Sequence, residues 1–318
     1  MTKKLVLSVS GGGALGVGPL QFMKRLEKDL GTELYKVCEG YAGTSTGSII
    51  VSGLSNEMTA EKLLDLYKKN LSNIFKERKI KGTNVWPLNK ISVKDFTAHD
   101  IALVLQSNYY RYDNKGLKKL LEENFPYKMN KHKKPIFIPT TFMNGKSAEK
   151  VWDNGDKNVD QSFAVLTSCS APTYFDVVKD GGNEYCDGGL WANDPIMVLE
   201  SGIKKFSKDA KYKETFADGF KILSFNTGML CPNKAPKKKN IFGWLSYIMD
   251  DWVARTGNSN LFEARANIGA ENVFRCEPTV TQNFDMDNLK EVDKVIKIWD
   301  EYYDSVKKDV LKFVKSTM

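Results

Sequence analysis

Residues 37 to 53 read VCEGYAGTSTGSIIVSG. YKVCEGYAG (35–43) reads as a strand that runs into Gly43-Thr44-Ser45-Thr46-Gly47, and the apolar SIIVSGL that follows reads as the start of a buried helix. Gly-x-Ser-x-Gly is the pattern of a serine nucleophile held on a tight turn between a strand and a helix, with small flanking residues that let neighbouring backbone approach. Ser45 is therefore the candidate nucleophile, and Gly43 and Gly47 the small residues of its elbow.

A second unit of the same kind lies upstream. LVLSV (5–9) is a short apolar run closed by glycines, and LQFMKRLEKDL after it repeats Leu20, Phe22, Met23, Leu26 and Leu30 at helical spacing. Downstream, PIFIPTTFM (135–143), AEKVWD (148–153) and FKILSFNTG (220–228) read as strands. AEKLLDLYKKNLSNIF (60–75), GLKKLLEENF (116–125) and the stretch 287–314 read as amphipathic helices. Strands alternating with helices imply an α/β fold whose largely parallel sheet is covered on both faces. The stretch from Ile80 to Asn114, with Trp86, Phe96, Tyr109, Tyr110 and Tyr112, reads as an insertion or flap, and no internal repeat is visible.

The chain has 318 residues, 42% hydrophobic and 27% charged, the composition of a soluble globular protein. MTKKLVLSVSGGG holds too short an apolar run for a signal-peptide core, and no apolar run reaches the roughly eighteen residues of a membrane span. Cys38, Cys169, Cys186, Cys231 and Cys276 lie far apart with no Cys-x-x-Cys and no nearby histidine, a pattern that points away from a zinc site or a disulfide framework. A reducing, cytoplasmic compartment is the expectation. A net charge of +8 favours an anionic partner, lipid headgroup or nucleic acid, without choosing between them.

A serine needs a group to take its proton, most often histidine. Only two histidines are present: His132 in the lysine-rich loop MNKHKKP, which reads as solvated, and His99, which reads as the start of a helix within the insertion. A carboxylate is the remaining class. Its reference pKa of about 4 is low for the work, but desolvation beside the nucleophile raises it. CDGGLWANDP places Asp187 before two glycines on a constrained turn, although Asp-Gly-Gly is also an ordinary turn signal. For an oxyanion hole, SVSGGGALG offers a glycine run between strand and helix, where backbone N–H groups converge and the helix N-terminus favours negative charge. Gly11, Gly13 and Gly16 also satisfy Gly-x-Gly-x-x-Gly, the dinucleotide-binding pattern, with Glu39 as the acidic partner it would need.

Taken in order and spacing, SGGGALG, GTSTG and DGG resemble the patatin-like phospholipase family. TSCSAPTYF (167–175), WANDP (191–195) and ILSFNTG (222–228) agree with it, so that the resemblance covers about residues 5 to 230. It implies a three-layer α/β/α sandwich with a mostly parallel central sheet. It further implies one domain spanning residues 1–318, with the motif-bearing core at about 5–230 and a mainly helical C-terminal extension at about 231–318. It makes Ser45 the nucleophile, Asp187 its dyad partner and the backbone of Gly11, Gly12 and Gly13 the oxyanion hole. The implied activity is hydrolysis of fatty-acyl esters of phospholipids or lysophospholipids at a peripheral membrane surface, with no metal or cofactor. The family commonly has Asp or Gly where this chain has Ser10, and a basic residue where it has Leu15. Loss of the basic residue removes a candidate phosphate partner and keeps neutral lipid or general carboxylesters open as substrates.

Ser168 and Ser170 read as helix-end or packing residues. Lys237, Lys238 and Lys239 precede an aromatic segment, Ile241 to Val253, which reads either as a solvated loop before a core helix or as a docking element for an anionic bilayer. A catalytically silent lipid- or protein-binding module of the same fold is the other class of function, and the joint presence of Ser45, Asp187 and the glycine run weighs against it. No nucleic-acid-binding motif accompanies the positive charge.

Overall fold

The structure is a computed structural model that describes residues 2–76, 110–229, 257–282 and 284–318. His99, Cys231, most of the aromatic insertion and the Lys237–Lys239 cluster with Ile241–Val253 lie outside the described residues.

Among the described residues the strands form one mixed, mostly parallel sheet of eight, ordered β5-β6-β3-β2-β1-β7-β8, with β4 beside β3. The strands are β1 (Lys4–Val9), β2 (Cys38–Gly43), β3 (Ile136–Phe142), β4 (Glu149–Trp152), β5 (Val178–Asp180), β6 (Asn183–Asp187), β7 (Phe220–Phe225) and β8 (Val273–Cys276). β1 pairs in parallel with β2 and β7, and β2 with β3 and β7 with β8 likewise. Leu5, Leu7, Val9, Ile222, Leu223 and Phe225 are fully buried, as expected of strands covered on both faces.

Helices lie on both faces. One face carries α1 (Val17–Leu30), α2 (Thr46–Ser55), α3 (Ala60–Ile74), α4 (Lys115–Asn124), α5 (Gln161–Ser168) and α8 (Val292–Lys315), whose apolar residues share a core with Leu5, Leu7 and Val9. The other carries α6 (Ile196–Phe206) and α7 (Gly257–Ile268), packed on Val6, Ala42, Phe137 and Ile222. The two cores divide by the side-chain alternation of β1, in which Val6 faces one layer and Leu5 and Leu7 the other. α8 belongs to the main core: Trp299 and Tyr303 are fully buried and pack edge-on around Phe22 of α1.

Within the C-terminal extension, β8 extends the central sheet beyond β7. Two features differ from the sequence reading. Tyr35–Val37, read as strand, belongs to a helical turn, Leu34–Val37, and the strand begins only at Cys38. His132 is not solvated: it is 4% exposed, its Nδ1 is 2.8 Å from Ser55 Oγ, and burial lowers its pKa to about 4.

Two aspects of this topology position the site. Strand order reverses at β1, and the C-terminal ends of the strands at such a switch point are where open α/β sheets bind ligands. The second lies on β3, whose backbone groups point alternately to its two edges. Tyr41 N–H donates to Pro135 O at 2.9 Å and Met143 N–H to Glu184 O at 2.8 Å, while Phe142 N–H donates the other way, to Ala148 O. Odd-numbered positions thus face β2 and β6, which share one edge, and β4 has the other. β2 runs parallel to β3 and β6 antiparallel, with Ala42 opposite Phe137 and Asp187 opposite Thr140. Their C-terminal ends therefore run toward each other, and the chain turns that follow Gly43 and Asp187 meet.

Candidate active site

Ser45 sits between β2 and α2 with φ 52° and ψ −127°, a left-handed conformation rare for a residue with a side chain. The turn tolerates it because its neighbours over-determine it. Thr44 N–H donates to Val9 O at 3.2 Å, Gly47 N–H to Thr44 O at 2.8 Å, and Thr44 Oγ1 to Ala192 O at 2.6 Å. A Cβ on Gly43 would run into the Gly47 carbonyl, and one on Gly47 into the Val9 carbonyl. Both elbow glycines are thus required by backbone contact rather than by flexibility.

Asp187, at the end of β6, lies against this turn and is 5% exposed. Its carboxylate accepts the N–H of Gly189 at 2.7 Å. Burial raises its pKa to about 7, against the smaller lowering effects of that hydrogen bond and of the Ser45 side chain beside it. The second glycine of the DGG turn supplies that N–H, and a Cβ on the first, Gly188, would strike the Pro139 carbonyl of β3.

The segment read as packing residues holds both partners. Ser168 Oγ accepts Ser45 N–H at 3.0 Å, and Ser170 O accepts Asp187 N–H at 3.0 Å. Nothing in the letters TSCSAP distinguishes these contacts from ordinary helix-end bonds, because the partners are distant in sequence. His132 hydrogen-bonds Ser55, at the far end of α2 from Ser45, about 15 Å away by the rise of the helix.

The glycine loop follows β1. Gly13 has φ 55°, and a Cβ there would meet the Met286 carbonyl. Almost every backbone group of the loop has a partner: Ser10 N–H on Phe225 O, Gly11 N–H on Asn193 O at 3.0 Å, Ala14 N–H on Met286 O and Leu15 N–H on Gly12 O. Thr227 Oγ1 lies on the carbonyls of Ser10 and Gly11, and Tyr67 OH donates to Gly13 O at 2.7 Å. Among the described residues, the amides of Gly12 and Gly13 have no acceptor. Gly11 was expected in the same role, but its amide is taken by Asn193. Asn193 O is held there by the WANDP turn, where Asp194 caps Ile196 N–H and pairs with buried Arg275 at 2.6 Å.

Ser45, Asp187, Gly12 and Gly13 all line one cleft. Its walls are mainly apolar, with Ile49, Ile74, Phe75, Leu117, Phe175 and Met286, and half-exposed Leu190 lies in its wall. No Lys, Arg or His lines it among the described residues. The dinucleotide alternative loses its acidic partner, since Glu39 is at the start of β2, away from the loop, and pairs with Lys134 at 3.7 Å. Leu15, where the resemblance implies a basic residue, is buried in the core. No group of three His, Cys, Asp or Glu side chains able to hold a metal ion occurs among the described residues.

Comparison with known proteins adds a lineage to this geometry. The chain is 24% identical over 319 residues to intracellular phospholipase A2 of Caenorhabditis elegans, an alignment covering 93% of this chain and 27% of that protein. It is 26% identical over 281 residues to patatin-like protein 2 of Oryza sativa subsp. indica, covering 76% and 65%, and 26% identical over 245 residues to the cGAMP-activated phospholipase of Vibrio cholerae serotype O1, covering 70% and 63%. The chain thus spans from about a quarter to two thirds of the length of these relatives. The model of the patatin-like phospholipase family matches residues 7–200, from β1 through the Ser45 elbow and Asp187 into α6, and the chain belongs to that family.

Proposed function

We propose that the protein is a serine lipid acyl hydrolase that cleaves fatty-acyl esters of phospholipids or lysophospholipids. The observation that carries this is Ser45 beside a buried carboxylate whose pKa is near neutrality, at the wall of an apolar cleft. The names of the relatives support a lipid substrate.

In this reading Ser45 Oγ attacks the ester carbonyl while Asp187 accepts its proton. At neutral pH a carboxyl group with a pKa of about 7 is ionised in a large fraction of molecules yet basic enough to share a proton in flight. The negative charge forming on the carbonyl oxygen falls to the N–H groups of Gly12 and Gly13, which need no reorganisation to receive it. Asp187 then returns the proton to the leaving alcohol, and the acyl chain stays in the apolar cleft as a Ser45 ester. Water, deprotonated by the same carboxylate, releases the fatty acid.

The net charge of +8 favours delivery of substrate from an anionic membrane surface. A second reading, neutral lipid or simple carboxylesters, draws on the lack of a cationic side chain among the described residues of the cleft. A lipid-extract digest resolved by mass, run beside Ser45→Ala and Asp187→Asn, tests both. Free fatty acid with lysophospholipid supports the first; fatty acid released from neutral glycerides alone supports the second. Undiminished release by Ser45→Ala overturns the serine mechanism.

A further inference from the structure

The FNTG turn after β7 has no part in the chemistry above, yet it lies directly under the glycine loop. Thr227 is fully buried, its N–H donates to Ser10 Oγ at 3.0 Å, and its hydroxyl lies 3.2 Å from Ser10 O and closer still to Gly11 O. Ser10 Oγ is in turn 3.1 Å from Phe225 O and 3.2 Å from Asn226 Oδ1. A Cβ on Gly12 would meet Thr227 Oγ1, so the loop rests on this side chain without a gap.

We propose that Thr227 is a positioning residue that aims the Gly12 amide at the reacting carbonyl. In a trans peptide the C=O and the next N–H point to opposite sides of one rigid plane, and the chain has no cis peptide bond among the described residues. The Thr227 hydroxyl, with one hydrogen to give, donates to the nearer carbonyl, that of Gly11. This fixes the Gly11–Gly12 plane and turns the Gly12 N–H away from Thr227, to the side of the cleft that it shares with Ser45. On the preceding plane, Gly11 N–H is held by Asn193 O. The Gly12 plane is therefore set from β7 while its neighbour is set from the turn after β6, and a glycine loop that would otherwise sample many orientations has one. Ser10 serves the same end by accepting the Thr227 amide, which gives the serine at that position a role of its own.

The inference rests on the serine mechanism proposed above, and the test separates the two. Thr227→Ala removes the hydroxyl without pressing a methyl on the Gly11 carbonyl, and Thr227→Ser keeps it. Because the oxyanion exists only in the transition state, Thr227→Ala lowers kcat about 10- to 100-fold with KM within about twofold, somewhat less than the loss of an oxyanion donor itself. Affinity for an acyl trifluoromethyl ketone, which places an oxyanion in the hole when Ser45 adds to it, falls by the same factor. Affinity for an ether lipid with no carbonyl is unchanged, and Thr227→Ser restores kcat. Ser10→Ala shifts kcat in the same direction and carries the comparison if Thr227→Ala unfolds. Equal loss of ketone and ether-lipid binding, a serine variant as poor as the alanine one, or unchanged kcat in both Thr227→Ala and Ser10→Ala overturns the positioning role. Ser45→Ala and Asp187→Asn run alongside: if they retain turnover the serine mechanism fails, whereas if they are inactive while Thr227→Ala is unimpaired, only the role of Thr227 fails.

Discussion

Asp187 is a carboxyl group held where ionisation is costly, and this has opposite consequences for activity and stability. On the proposed mechanism it must be ionised to act as the base, so kcat/KM rises with pH along a limb whose midpoint lies near pH 7. Stability moves the other way. The unfolded carboxyl titrates near pH 4 and the folded one near 7, so between those values the native state holds more protons and loses stability as pH rises. Asp187→Asn removes that cost: its unfolding free energy should exceed that of the parent at pH 8, by up to about 4 kcal/mol in the limit of three full units, and the advantage should shrink toward pH 4. Thermal melts of the two proteins across pH 4–8 check the sign. His132 behaves conversely: buried neutral with a pKa of about 4, it withdraws stability as pH falls from about 6.5 toward 4. Labelling with a fluorophosphonate tests the nucleophile: modification should map to Ser45 alone, and the combined His99→Ala and His132→Ala variant, if folded, should label and turn over like the parent.

At the scale of elements, the sequence is legible where a physical constraint is local. The β1 and β7 runs are mainly apolar and end at glycine or polar turns, and the Ser45 elbow announces itself by Gly43 and Gly47. Short edge elements are not legible in this way. β6, NEYCD, is five residues with three polar or charged side chains besides its tyrosine, and β8, VFRC, is four with an arginine, so neither carries a long apolar run. Tyr35–Val37 has strand-forming residues, but Glu27 of α1 accepts the N–H of Leu34 and holds that end as a helical turn. Site residues divide similarly. Ser45, Asp187 and the glycines sit in spaced motifs, whereas the bonds from Ser168 and Thr227 depend on strands distant in sequence coming to one end of the sheet. Gly47→Ala should therefore fail for a reason readable at both levels. Its Cβ meets backbone on β1 that cannot swing aside, so the variant should lose about 1–3 kcal/mol in denaturant unfolding and most of its esterase activity.

At the scale of the molecule, α8 closes the core that the sequence motifs leave open. Trp299 lies between Phe22 and Phe225 and touches Gly18, and Val295, Tyr303, Val310 and Val314 are buried along the same helix. Trp299→Ala should cost about 3–5 kcal/mol, and a chain ending at residue 230, which retains every motif, should fail to unfold cooperatively in calorimetry because β7 and α1 lose their cover. Charge acts at this scale too. Turnover on vesicles should rise with anionic lipid content and fall as salt shortens the Debye length from about 10 Å, while hydrolysis of a soluble short-chain ester stays level.

The opposed approach of β2 and β6 along one edge of β3 also bears on when the chemistry first exists. A growing chain exposes the glycine loop and Ser45 early, but Asp187 only after β3 is made, and the carboxylate reaches the serine only once β6 has paired with Thr140–Phe142 in the right register. A slip of one residue would turn Asp187 to the opposite face of the sheet. On the proposed chemistry, then, a nascent, truncated or misregistered chain holds a nucleophile without a base, and the cell that makes this protein meets its lipid-cleaving activity only in copies that have finished folding.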